Sequence, residues 1–543
     1  MNTSYQQQYS RLDYSFAEFL VERCHLQGEA KTQFRGLILE LSAQQSAGHS
    51  CMQISAEAVA LIQASGLAEP DQPAPLVVEA GRLYLHRYWQ YETRLAGQLA
   101  ALSRQGFPAV DCQPALDHYF PGQDAEPDWQ KLAAQRALTQ GLTIISGGPG
   151  TGKTTTVVKI LALLQQFNQP SLHIALAAPT GKAAMRLQES IDNSKQHLPE
   201  QIRALIPSQV STLHRLLGAK PPTPYFRHHA DNPLPYDLLV VDESSMVDLA
   251  LMSKLVDALK PGSRLILLGD KDQLASVESG AVLADLTQSL PGNTIELLKS
   301  HRFHAGIKQL ADAVNQQHAA TAWDLLTQPG SESGVALLAE EAVDYAVGQY
   351  RRYLALMASG AEFKAVFTEF SRFQVLCANQ QGPNSVADIN FRVEQQLSRL
   401  HNIHRQGAWY AGRPVMITAN TPSLQLFNGD IGICLPDAES GQLKVFFPRG
   451  DGSSKKISPA RLQTCQTVFA MTVHKSQGSE FEQVLIMLPE QLNPVLSKEL
   501  LYTAITRAKQ QVKIVADREV FIDCVNKSVQ RLSGLAEKLA LAQ

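Results

Sequence analysis

The stretch that decides the fold is Leu142-Thr143-Ile144-Ile145-Ser146-Gly147-Gly148-Pro149-Gly150-Thr151-Gly152-Lys153-Thr154. Its apolar start reads as a buried strand. Gly147 to Thr154 matches G-x-x-x-x-G-K-[ST], the phosphate-binding P-loop, and Val157, Ile160, Leu161 and Leu164 follow at helical spacing. Strand, glycine loop and helix bring backbone N–H groups to a helix N-terminus, where they cradle phosphates. In that setting Lys153 reaches the β- and γ-phosphates of ATP, and the Thr154 hydroxyl holds Mg²⁺. A glycine-rich loop alone would say little; strand, lysine, threonine and helix together point to a bound nucleoside triphosphate.

Around this element lies a chain of 543 residues, too long for one core and sized for about three or four domains. It is 44% hydrophobic and 18% charged, as ordinary globular proteins are. No run approaches the ~20 apolar residues that cross a bilayer, and the polar stretch Met1 to Arg11 lacks a signal-peptide core, so a cytoplasmic protein is expected. A net charge of −3 argues against coating nucleic acid by bulk charge but leaves room for a basic track in a cleft. The seven cysteines are scattered with no C-x-x-C, which reads as reduced thiols, and the histidines show no metal-ligand spacing.

Residues 1–108 read as a mostly helical domain fit for docking a partner. Within it Arg82 to Trp89 alternates briefly before turning helical. Prolines at 108, 114, 121 and 127 mark a break. Residues 109–290 then alternate helical stretches with short apolar runs: 142–145, 174–177, 238–241 and 265–268. Such runs suit parallel strands buried on both faces. A second α/β set occupies 291–406 and 466–543, with strands near Val375, Val484 and Val512. Residues 407–465 interrupt it with alternating apolar positions and an Asn428-Gly429-Asp430 turn, the texture of a small antiparallel barrel.

Three further constellations carry chemistry. Leu238-Leu239-Val240-Val241-Asp242-Glu243 delivers two carboxylates at a strand's C-terminal end, where open α/β sheets place ligands. Asp242 suits Mg²⁺ and Glu243 suits polarising the attacking water, given a P-loop on a neighbouring strand. Gly269-Asp270-Lys271-Asp272-Gln273 again follows a strand. Gln273 is placed to sense the γ-phosphate, since an amide donates and accepts without changing charge. Arg302, in Ser300-His301-Arg302-Phe303, and Arg507, in Ala504-Ile505-Thr506-Arg507-Ala508, are candidates for guanidiniums supplied across a domain cleft to the transition state.

Together these motifs resemble a superfamily 1 helicase. Gln130, in Trp129-Gln130-Lys131, is similar to the adenine-reading Q motif; the P-loop, with Thr155 after it, is motif I; Ala178-Pro179-Thr180-Gly181-Lys182 resembles motif Ia. Ser211-Thr212-Leu213-His214-Arg215 resembles the next DNA-contacting segment. Asp242 to Asp248 looks like motif II, the Gln273 loop motif III, and Ser300 to Phe303 motif IV. Thr472-Val473-His474-Lys475-Ser476-Gln477-Gly478-Ser479-Glu480 looks like motif V, and Leu501-Tyr502-Thr503-Ala504-Ile505-Thr506-Arg507 motif VI. The motifs run in order over residues 129 to 516.

The resemblance implies two recA-like motor domains clamping ATP and Mg²⁺, the inserted segment as an SH3-like barrel, Glu480 at the nucleotide, and DNA contacts from Thr180, Lys182, His214 and His474. It further implies a 5′→3′ DNA helicase subunit, working beside two partner chains in a complex that unwinds and degrades DNA from double-strand ends in recombination and repair. A longer branch of the family carries extra N-terminal hairpins; only about 105 residues precede the motor here, which favours the partner-bound form. The E-x-K matches Glu29/Lys31 and Glu362/Lys364 lack the flanking strand and upstream aspartate of a nuclease, so cutting is expected on a partner chain. An RNA helicase, a freestanding helicase and a scaffold with a relic ATPase remain as alternatives.

Overall fold

The amino-terminal helices Arg11–Val21, Gly28–Ser46, Ala56–Ala64 and His86–Arg104 flank three short strands, β1 (Met52–Gln53), β2 (Leu76–Glu79) and β3 (Arg82–Leu85), in antiparallel order β1-β3-β2. The computed structural model describes residues 9–68, 74–108, 111–121, 128–276, 278–298, 304–330, 333–401, 407–449 and 452–542. Ser10 opens the first helix with a capping box: its hydroxyl accepts from the Asp13 N–H while the Asp13 carboxylate accepts from the Ser10 N–H. The alternation at Arg82 is β3, and the helix begins at His86.

The first parallel sheet contains β4 (Leu142–Gly147), β5 (Ile174–Ala178), β6 (Val210–Thr212), β7 (Leu238–Val241), β8 (Arg264–Gly269) and β9 (Thr294–Leu297), in the order β6-β5-β7-β8-β4-β9. β4, β5, β7 and β8 are buried along their whole length, which is why their sequences run apolar instead of alternating. β9 pairs with β4, so this sheet extends past residue 290. The sequence treats the strands of the P-loop and of Asp242 as neighbours. They are not: β8 lies between β4 and β7 and pairs with both. The correction matters, because it brings the tip of β8, with Asp270, between the P-loop and Asp242.

The second sheet begins with β10 (Val335–Leu337) and β11 (Phe373–Cys377). It is interrupted by β12 (Pro414–Ile417), β13 (Ile431–Pro436), β14 (Leu443–Pro448), β15 (Ser454–Ile457) and β16 (Cys465–Thr467), and resumes with β17 (Ala470–Thr472), β18 (Phe481–Met487) and β19 (Ala508–Val515). The second sheet is parallel, in the order β10-β19-β18-β11-β17. The inserted strands form an antiparallel sheet, β15-β14-β13-β12-β16, over a small core of its own that includes Val415, Cys434, Val445 and Phe447. Gly429, at φ +95°, makes the tight turn into β13 that few side chains tolerate.

Beyond the helix Arg518–Asn526 the chain leaves the second sheet. Helix Leu535–Ala542 packs on His86–Arg104, with Leu535 and Leu539 joining Leu95, Ala96 and Leu99 in the core beneath the first sheet. Sequence reading placed this helix with the second motor domain; its apolar face is instead matched by that of the amino-terminal helix. Glu92 is fully buried at this junction and accepts from Ser50 Oγ at 2.5 Å and Gly534 N at 3.2 Å.

Nearby, burial pushes the Asp285 carboxyl up to about 6; the Ser533 hydroxyl opposes the shift and Glu92 adds to it. A carboxyl raised on folding destabilises the fold only where it is ionised: not below pH ~4, increasingly as pH rises, and fully above about 6. Asp285→Asn should therefore raise stability at pH 8 by on the order of 2–3 kcal/mol and change it little at pH ~4. Denaturant titrations at the two pH values check this; equal gains at both would rule out titration as the cause.

Candidate active site between the two parallel sheets

The P-loop wraps tightly at the end of β4. Gly150 and Gly152 have φ of +81° and +82°, and a Cβ on Gly152 would lie 2.8 Å from Gln130 Nε2. A Cβ on Gly147 would lie 2.8 Å from Thr151 Oγ1 and 2.9 Å from the Leu297 carbonyl. Gln130 Nε2 also donates to Thr151 O at 3.4 Å, so the Q-motif amide steadies the loop. Lys153 opens helix Lys153–Phe167 and donates from Nζ to the carbonyls of Gly147 (2.5 Å) and Gly148 (3.1 Å). Thr154 follows at the helix start, and Thr155 is exposed.

Two carboxyls face this lysine, from the tips of the adjacent strand β8 and of β7 beyond it. Asp242 follows β7 and accepts from the Glu243 N–H at 2.9 Å. Burial, then the Glu243 charge, hold its pKa above the usual range, while Lys153 pulls it down. Asp270 follows β8, is 2% exposed, and is pushed by burial up to about 6, again with Lys153 opposing. Asp270 is thus buried and Asp242 partly so, with Lys153 the cation that opposes both shifts. Glu243 sits at φ +51°, a left-handed conformation uncommon for a residue with a side chain. It turns the chain sharply out of β7 and sets the two acids side by side.

The second domain closes the site. Arg507 is 3% exposed and donates to the carbonyls of Thr503 (3.1 Å) and Ser479 (3.3 Å) and to Gln273 Oε1 at 2.5 Å. Gln273 Nε2 in turn donates to Asp270 Oδ2 at 2.9 Å. One amide thus accepts from one domain and donates to the other, the dual capacity its chemistry allows. The contact is reinforced: Leu274 N donates to Thr503 Oγ1 at 2.9 Å, and Gln477 Nε2 donates to Leu274 O at 2.9 Å.

Sequence reading missed Tyr502. Its hydroxyl donates to Asp270 Oδ2 at 3.1 Å and lies 3.0 Å from where a Cβ on Gly148 would stand. The available signal was an aromatic five positions before Arg507 in a motif already assigned to the cleft. Arg302 lies outside the described residues.

The remaining sequence candidates lie further out. Thr180 caps helix Gly181–Ser194, its hydroxyl accepting from Ala183 N at 3.2 Å. Lys182 lines a cavity of ≈540 Å³ between that helix, the inserted sheet and the second domain, with Phe427, Asp430, Arg449 and Lys455. Burial, then Arg186, push its ammonium down to about 7, with Asp430 opposing. Glu480 lines the same cavity, pairs with Lys509 of its own domain (3.3 Å) and reaches across to Arg186 of the first (3.9 Å). His214 is exposed, its ring tilted at 5.8 Å from Phe226. His474 begins the short turn His474–Ser476 and is half-buried.

A P-loop on one parallel sheet, completed by an arginine from a second, defines a two-domain nucleotide-driven motor. The AAA domain family model matches residues 130–279 and the UvrD-like helicase C-terminal domain model matches residues 467–515. RecBCD enzyme subunit RecD of Mycolicibacterium smegmatis is 39% identical over 86% of this chain and 84% of its own. The Haemophilus influenzae subunit of the same name is 35% identical over 86% and 82%. The ATP-dependent RecD2 DNA helicase of Deinococcus radiodurans is 33% identical over 83% of this chain, which spans 58% of that protein. A Bacteroides Pif1 structure aligns with 72% of the chain at 16% identity and TM-score 0.42, too loosely to bear on function. The chain belongs to the RecD family.

Proposed function

We propose that this chain is the 5′→3′ motor subunit of a RecBCD-type helicase–nuclease, assembled with RecB- and RecC-type partners on double-strand DNA ends in the cytoplasm. It is an ATP-dependent DNA helicase. The observation that carries the reading is the split site: Lys153, Asp242 and Asp270 on one sheet, joined through Gln273 to Arg507 on the other. The amino-terminal domain is the surface we assign to the partners, and nuclease chemistry we assign to a partner chain. We read the inserted sheet as a small SH3-like barrel.

ATP is the substrate, seated on the P-loop backbone and Lys153 with Gln130 beside it. Thr154 and Asp242 would hold Mg²⁺, whose charge offsets that of the phosphates. Glu243 orients the water and accepts its proton. Arg507, with Arg302, stabilises charge spread over the phosphate oxygens. Gln273 passes the loss of the γ-phosphate to the contact between domains. Thr180, Lys182, His214 and His474 are assigned to the DNA track, where cations bind backbone phosphates and rings stack on bases.

Unwinding of duplexes with a single 5′ or a single 3′ tail tests the assignment, with the chain alone and with its partners. The 5′-tailed substrate should be opened selectively, and single-stranded DNA should stimulate ATP hydrolysis more than RNA of the same sequence. Preference for the 3′ tail, or absence of any stimulation in the complex, would refute it.

A further inference from the structure

Residues 527–534 form a strap whose contacts the ATP site alone does not explain. At its start it is tied to the helix Lys498–Ile505, which leads to Arg507. Glu499 of that helix accepts from Ser528 Oγ at 2.7 Å and Val529 N at 3.0 Å, and Lys498 N donates to Lys527 O at 2.8 Å. Two residues beyond Val529, Arg531 crosses to the first domain. Its guanidinium donates to the carbonyls of Glu278 (2.7 Å), Gly280 (2.9 Å) and Ser276, all on the loop that continues from Gln273. Ser276 N itself donates to Ser245 O at 3.1 Å, in the turn that follows Asp242 and Glu243.

The other side of the guanidinium is the amino-terminal domain. Gly48 has φ +95°, and a Cβ there would come within 2.9 Å of Arg531 Cζ. Gly280 N donates to Gly48 O at 2.9 Å, Leu532 N to His49 Nδ1 at 2.9 Å, and Ser50 N to Leu532 O at 3.1 Å. His474 also lies in its field: burial, then the Arg531 charge, hold both His49 and His474 below the usual histidine range. No carboxylate pairs with Arg531 among the described residues. Its charge is met by carbonyls of a single loop, an arrangement the planar guanidinium fork can serve and a lysine cannot fully reproduce.

We infer that Arg531 is a positioning residue for ATP hydrolysis, fixing the loop behind Gln273 and linking it to the amino-terminal domain. The inference rests on the reading of Gln273 as γ-phosphate sensor. A mere structural clamp would change stability and leave turnover per folded molecule intact. The positioning role predicts a kcat effect instead, and it predicts that Gly48, on another domain, matters for the same reason.

The test is steady-state ATP hydrolysis by the full chain with saturating oligo(dT), for Arg531→Ala, Arg531→Lys, Gly48→Ala and Gln273→Ala. Melting temperature and binding of a fluorescent ADP are measured alongside. Arg531→Ala should lower kcat about tenfold or more, with KM for ATP changed by less than about threefold. Gly48→Ala should move kcat the same way with Arg531 itself unsubstituted, because its Cβ displaces the guanidinium, and Arg531→Lys should restore part of the loss. Unchanged kcat in folded Arg531→Ala, or in Gly48→Ala should the first variant not fold, overturns the inference. If Gln273→Ala leaves kcat intact, the sensor reading fails; if it lowers kcat while Arg531→Ala and Gly48→Ala do not, only the role of Arg531 fails.

Discussion

Replacing Lys153 by glutamine is expected to cut ATP turnover by about 10²–10³-fold while leaving the melting temperature within about 2 °C of the parent. The ammonium makes two bonds to carbonyls of its own loop, at 2.5 and 3.1 Å, and a glutamine amide can replace one of them. What glutamine cannot replace is the positive charge facing Asp242 and Asp270. Both carboxyls are already raised by burial with Lys153 opposing, so its loss moves them further up and would weaken the hold on Mg²⁺ proposed for Asp242. Transition-state charge and acid ionisation therefore suffer together, which is why the effect is large. Steady-state hydrolysis with a thermal melt decides it, and near-normal turnover would overturn the P-loop assignment.

Arg507 should show a comparable loss for a different reason. An arginine supplied to the transferring phosphoryl group contributes about 10³–10⁵ in kcat elsewhere among P-loop enzymes. Arg507→Ala also strands Gln273 Oε1 and the buried Ser479 carbonyl, at roughly 1–3 kcal/mol for each unmet group, while the Thr503 carbonyl keeps the Thr506 hydroxyl. Alanine alone would thus confuse chemistry with packing. Arg507→Lys keeps the charge and much of the volume but loses the fork. It should fold with nearly unchanged nucleotide affinity and turn over at least about 10²-fold more slowly in single-turnover measurements. Activity within about twofold of the parent would exclude Arg507 from the transition state.

The central strands were legible because burial on both faces leaves an unbroken apolar run: Leu238–Val241 is the clearest case. Edge strands were not. Val210–Thr212 and Thr294–Leu297 pair on one side only; the first is three residues with one apolar member, and the second alternates over only four, too short a run for periodicity to mark. The order of strands is likewise invisible in a linear pattern, and with it the position of β8 between the P-loop strand and β7. At the site, Lys153, Asp242 and Gln273 stand in motifs whose spacing carries chemistry. Tyr502 and Asp270 act through a contact between segments 232 residues apart, which no local pattern encodes. Arg531 lies in no motif at all; its role depends on where three segments happen to meet.

The return of the carboxy-terminal helix to the amino-terminal one has a consequence for how the molecule is made. Gly534 meets Glu92 across 442 residues, and Leu535 and Leu539 complete the apolar surface of Leu95 and Leu99. At ribosomal rates of about 5–20 residues per second, that surface lacks the cover of Leu535 and Leu539 for roughly 20–90 s after it emerges. During this interval the nascent chain presents an unfinished greasy ledge beside a buried acid, Glu92, that still lacks its Gly534 N–H donor.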